Sequence, residues 1–180
     1  MSSDKVLLHA CCAPCLTNSI LELQEQGFSV TVYFYNPNIT PYVEYRKRLE
    51  ELIGFCRKQN YPLIIEEDGF AFWYKNCSPL KDEKEGGKRC EKCFEIRLDK
   101  TAAFAKEQDF NYFCTTLTIS PHKNSKIINA TGEKISKKYS IPFLTKDFKK
   151  NDGFKKSLCI SKEFGLFRQT YCGCEYSIRT

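Results

Sequence analysis

Seven of the chain's eleven cysteines fall into three tight groups: Cys11-Cys12-Ala13-Pro14-Cys15, Cys90-Glu91-Lys92-Cys93 and Cys172-Gly173-Cys174. Each group places thiols close enough to share a metal or a cluster, and soft sulfur ligands select zinc, copper(I) or iron–sulfur. Two pairs from separate elements would satisfy a tetrahedral zinc. Adjacent Cys11 and Cys12 chelate one small ion awkwardly, however, and seven thiols exceed what one zinc requires. An iron–sulfur cluster spreads several irons over a wider span, so neighbouring cysteines can each reach a different iron. The pattern favours iron–sulfur, with zinc as the alternative.

The other thiols read differently. Cys172-Gly173-Cys174 is short for clamping a metal but suits a reversible dithiol, whose disulfide would close a small, strained and easily reduced ring. It could instead ligate a second metal together with Cys15. Cys12-Ala13-Pro14-Cys15 looks like a thioredoxin-type redox pair, a chemistry that leaves the other two groups unused. Cys56, Cys77, Cys114 and Cys159 stand alone and read as structural, with Cys56 and Cys114 as buried apolar thiols. The CxxxCxxC spacing of radical S-adenosylmethionine enzymes is absent, and no GxGxxG or GxxxxGK[ST] follows a strand.

Outside the cysteines, His9 reads as a core residue, while His122 follows a strand where a ligand would bind. Asp68 follows the third strand and could orient substrate or ligate metal, or simply cap a loop. Tyr33, Tyr35, Phe70, Phe72, Trp73 and Tyr74 could stack on a base, although core packing accounts for most of them.

The elements that must position these groups read as one α/β domain of 180 residues, with no repeat and no linker. Val6–His9 is a short strand running straight into the first cysteine group, and a helix follows over 17–26. Ser29–Tyr35 is a second strand, ended by Asn36-Pro37-Asn38. This β–loop–α–β unit belongs to a parallel sheet. Helices are expected over 42–59, 90–108 and 124–139, strands over 63–66 and 112–117, and a short helix near Lys162. The last segment, about 147–180, is expected to pack over the site.

Composition narrows the class. With 42% hydrophobic, 14% aromatic and 28% charged residues, the chain is expected to be globular rather than disordered. No apolar run reaches the roughly 20 residues a membrane helix needs, and Asp4 sits where a secretory signal would be basic. A cytoplasmic protein is expected, and so metal or redox thiols rather than a secreted disulfide framework. Charge is uneven: residues 1–120 carry a net −2 and residues 121–180 a net +8. Such a basic segment suits a phosphate-rich partner, with RNA the natural candidate.

The stretches LHACCAPC (8–15), YNPNITPYVEYRKR (35–48), EGGKRCEKCFEIRL (85–98), TTLTISPHKN (115–124) and DFKKNDGFKKSLCISKEFGLFRQTYCGC (147–174) together resemble the QueH-type epoxyqueuosine reductases. They span nearly the whole chain in that family's order. The resemblance implies a Rossmann-like fold of the nucleotide α-hydrolase kind, with a mostly parallel sheet and the cysteines at its carboxyl edge. It implies reduction of the epoxide of epoxyqueuosine in a tRNA anticodon loop, without cobalamin and with electrons from an external low-potential donor. It also implies a [4Fe–4S] cluster on Cys11, Cys12, Cys90 and Cys93. Cys172 and Cys174 would be a redox-active pair, or contribute to a second metal such as a mononuclear iron; Cys15 and Asp68 are further catalytic candidates. Lys123, Arg97 and Arg168 would meet the RNA backbone, and Tyr35 and Asn36 the substrate. A zinc-stabilised RNA-binding module and a thioredoxin-like thiol–disulfide oxidoreductase are the competing classes.

Overall fold

A computed structural model describes residues 3–178. Four strands, β1 (Lys5–His9), β2 (Ser29–Phe34), β3 (Leu63–Ile65) and β4 (Tyr112–Thr115), form one all-parallel sheet in the order β3-β2-β1-β4. Alternation along the pleat splits the core in two. Val6, Leu8, Val32 and Phe34 face one layer with Leu16, Ile20, Leu49 and Leu52, contributed by α1 (Ala13–Glu25) and α2 (Tyr42–Gln59). Leu7, Tyr33 and Phe113 face the other, with Leu98, Ala102, Ile128 and Ile135 from α4 (Lys88–Glu107) and α5 (Ser125–Tyr139). Both faces are covered, which is why the strands read as nearly continuous apolar runs. Among the described residues no helix is long and apolar enough to cross a membrane.

Strand order decides where a site can form. The chain runs from β1 outward through β2 to β3, then returns to place β4 on the other side of β1. The crevice outside the carboxyl ends of β1 and β4 is thus the point where winding reverses, the usual ligand position in open parallel sheets. Cys11 follows β1 there and Thr116 follows β4.

The structure departs from the sequence reading in several elements. Helix α1 begins at Ala13 rather than 17, because Pro14 sits in its first turn, where its missing N–H is tolerated. Cys15 is therefore helical rather than part of a loop. Strand β4 stops at Thr115 instead of 117: the Thr115 hydroxyl accepts from the Leu117 N–H at 3.2 Å and turns 116–119 into a 3-10 helix. Helix α3 (Phe70–Cys77) was not anticipated. It buries Trp73 and Cys77, four residues apart, and leaves Phe70, Phe72 and Tyr74 exposed, so core packing accounts for only three of the six aromatics. Helix α6 (Gly153–Glu163) is longer than expected and packs against α1.

Candidate metal and redox centre

The first cysteine group closes on itself. Cys12 is the N-cap of α1 and Cys15 lies in its first turn, so the Cys11, Cys12 and Cys15 sulfurs lie within 4.8 Å of one another. Cys11 Sγ stands 3.8 Å from Cys12 Sγ and 3.8 Å from Thr116 Oγ1 across the switch point. Hydrogen bonds from the Cys12 and Cys15 thiols hold Cys11 well below the usual thiol range, and the charges of Lys123 and Arg97 act in the same direction. The same sharing pushes the other two up, Cys15 to about 12. One thiolate braced by two thiols, at a helix N-terminus, is a ready metal ligand.

The second group is set by helical spacing. Cys90, Cys93 and Arg97 lie at i, i+3 and i+7 of α4 and share a face. The Gly86 N–H donates to Cys90 Sγ at 3.2 Å. Burial raises both thiols, Cys93 to about 11 with Arg97 opposing. The loop before α4 is held from inside: the guanidinium of Arg89, only 2% exposed, donates to the Leu80, Lys81 and Glu83 carbonyls.

The third group arrives from the far end of the chain. The buried Arg48 guanidinium donates to the carbonyls of Cys172 (3.0 Å) and Tyr171 (3.3 Å), and its Nε to Glu44 (2.6 Å). The Thr40 N–H donates to the Gly173 carbonyl at 2.8 Å, and the Tyr171 hydroxyl to the Thr40 carbonyl at 2.9 Å. Gly173 has φ +125°, in the region that favours glycine, and an added Cβ would stand 3.1 Å from both Arg48 Nη1 and Ile39 Cγ1. These contacts hold residues 171–173 against the loop after β2 and the first turns of α2.

Cys172 is the junction. It lines a 290 Å³ cavity with Cys11, Cys12, Cys15, Lys123 and Arg168. It also lines a small cleft with Cys90, Cys93 and Cys174. The seven grouped thiols thus border two adjoining spaces at one mouth of the sheet. Cys15 groups with Cys11 and Cys12, whereas Cys172 and Cys174 group with Cys90 and Cys93. Every cysteine among the described residues is a free thiol.

Several sequence expectations change here. Arg97 and Asn36 are each 1% exposed and bonded to one another, so neither meets RNA on the surface. Tyr35 is 4% exposed and ring-stacked on Tyr33. Asp68 is exposed near Lys100 and lines a separate groove with Tyr42 and Phe70, away from the thiol-lined spaces. Lys123, Arg168 and His122 do face the larger cavity. His9 is fully buried, its ring nitrogens bonded to Thr115 Oγ1 (2.9 Å) and the Tyr35 carbonyl (3.1 Å). Cys56, Cys77 and Cys114 are buried and Cys159 is exposed. Arg48 and Thr116 were missed, because nothing local in the sequence marks a residue that acts through a contact with a distant segment.

The fold and its edge define a parallel α/β protein with a buried, thiol-rich centre at the topological switch point. Two solved structures share that fold. One is described as a predicted subunit of a tRNA methyltransferase from Methanocaldococcus jannaschii (TM-score 0.61, 12% identity, 93% of each chain). The other is the U34-tRNA thiolase NcsA from Methanococcus maripaludis with its [4Fe-4S] cluster (TM-score 0.62, 14% identity, 99% of this chain and 63% of that one). The chain belongs to the epoxyqueuosine reductase QueH family, which it matches over residues 6–180. It is 43% identical to epoxyqueuosine reductase QueH of Streptococcus pyogenes serotype M1, over 97% of this chain and 70% of that protein. It is 38% identical to the protein of the same description from Thermotoga maritima, over 96% and 90% respectively.

Proposed function

We propose that this chain reduces epoxyqueuosine in tRNA to queuosine, and that it does so at an iron–sulfur centre. The observation that carries the reading is the convergence of seven thiols on one mouth of the sheet in a member of this family. Removing an epoxide oxygen to leave an alkene and water takes two electrons and two protons, which ordinary side chains supply poorly.

The donor set fits a cluster: all sulfur, largely buried, with Arg97 and Lys123 as the facing cations. Cys11, Cys12, Cys90 and Cys93 would hold a [4Fe–4S] cluster, which supplies one-electron transfer from an external low-potential donor and no cobalamin. Cys172 and Cys174 would be the dithiol, giving up two electrons and two protons as the pair closes to a disulfide. The larger cavity would take the modified base, with Lys123 holding charge beside the thiols and Arg168 and the lysine-rich segment meeting the RNA backbone. Binding of tRNA and a cytoplasmic setting are parts of the same reading.

A second reading makes Cys15 and Cys172 ligands of a mononuclear iron; it is favoured by their shared cavity. Anaerobic iron and sulfide quantitation, paired with turnover of epoxyqueuosine-containing tRNA, tests both. Four irons and four sulfides per active chain are expected of the cluster alone, and a fifth iron without extra sulfide of the second reading. Zinc in place of iron, or turnover with neither, would overturn the proposal.

A further inference from the structure

Arg97 is a buried cation that faces thiols. Its side chain is 1% exposed, on the α4 face that carries Cys90 and Cys93. Its buried Nε has no hydrogen-bond partner among the described residues. Its Nη2 donates to Asn36 Oδ1 at 2.6 Å, and Asn36 Nδ2 donates to the carbonyl of Ala10, the residue before Cys11, at 2.9 Å. One rigid chain of bonds thereby fixes the guanidinium between the end of β1 and the middle of α4. The groups its charge meets are the thiols of Cys93, Cys11 and Cys172.

A guanidinium in the interior is costly unless something anionic stands against it. Neutral thiols do not meet that demand, and one thiolate meets it less fully than a cluster. A thiolate-ligated cluster meets it, because it is anionic when oxidised and more so after taking up an electron.

We infer that Arg97, anchored by Asn36, is a positioning residue for the cluster: a fixed cation that balances its thiolates and stabilises its reduced state. The inference rests on the iron–sulfur reading above. A nearby immobile positive charge raises a cluster's reduction potential, since reduction adds negative charge in a medium that screens it weakly. Arginine suits the task because it stays protonated when buried.

The test uses the full chain, reconstituted anaerobically, as wild type, Arg97→Lys and Arg97→Gln. Iron and sulfide content, folding by circular dichroism, and midpoint potential by redox titration followed by electron paramagnetic resonance are measured on each. Wild type without iron and sulfide would defeat the iron–sulfur reading itself, a separate result from any below. With wild type loaded, Arg97→Gln is expected to titrate at a more negative potential than wild type, and Arg97→Lys close to wild type. A folded Arg97→Gln that takes up no cluster, beside a loaded Arg97→Lys, also supports the inference. A loaded Arg97→Gln with unchanged potential overturns it. So does a folded Arg97→Lys as defective as the Gln variant, or failure of both variants to fold, since either makes the residue structural.

Discussion

Arg48 donates to the main-chain carbonyl of Cys172 at 3.0 Å, across 124 residues of chain. With the Thr40–Gly173 bond, this contact places the third thiol group at the centre. Arg48 is 3% exposed and also bonded to Glu44 and the Tyr171 carbonyl. Bonds from a charged donor are worth about 1.5–3 kcal/mol each. Arg48→Met is therefore expected to release the segment around 171–174 and lower turnover by roughly 10–100-fold, while the sheet stays folded. Limited proteolysis and a turnover assay on the same preparation check this; full activity with a protease-resistant tail would contradict it.

Gly173 is expected to tolerate no side chain. At φ +125°, with Arg48 and Ile39 each 3.1 Å from the Cβ position, Gly173→Ala adds roughly 1–3 kcal/mol of backbone strain to that turn. The expected outcome is a slower or incomplete disulfide between Cys172 and Cys174 and a matching loss of turnover, with cluster content unchanged. Thiol titration before and after oxidation reads the first, and iron analysis the last.

The grouped thiols separate by role. Cys11→Ser and Cys90→Ala are each expected to abolish both the brown chromophore and activity. Cys172→Ser is expected to keep the chromophore and lose most turnover. A Cys11→Ser protein with full cluster absorbance would remove Cys11 from the ligand set, and an active Cys172→Ser protein would remove the dithiol step.

Alkaline stability follows from thiols far from the site. Burial pushes Cys114 up to about 12, and it donates to the Leu144 carbonyl at 3.3 Å. In the unfolded chain it ionises near the ordinary thiol value of 9.0. The unfolded state thus sheds this proton first, and the contribution present below pH 9 is lost as pH climbs toward 12. The slope is about 1.4 kcal/mol per pH unit for one proton. Cys114→Ser keeps the donor and removes the titration, so denaturant melts between pH 9 and 11 should show a shallower loss of stability than wild type.

The sequence by itself determined the class of this protein. Apolar strands alternating with amphipathic helices, such as Val6–His9 before α1 and the 42–59 helix, set a parallel α/β sheet, because local periodicity dictates local structure. The three cysteine groups announced soft-ligand or redox chemistry through spacing alone, and the run of matching stretches pointed to the family. Tertiary structure alone decided how those groups meet. That β4 returns beside β1 brings Thr116 to Cys11; that Arg48 reaches Cys172 brings the chain's last thiols inside. Arg97 and Asn36, which read from sequence as contacts for RNA and substrate, prove to be an interior pair. Burial and partner choice arise from contacts between residues far apart in the chain, and such contacts leave no periodic trace in the residues that make them.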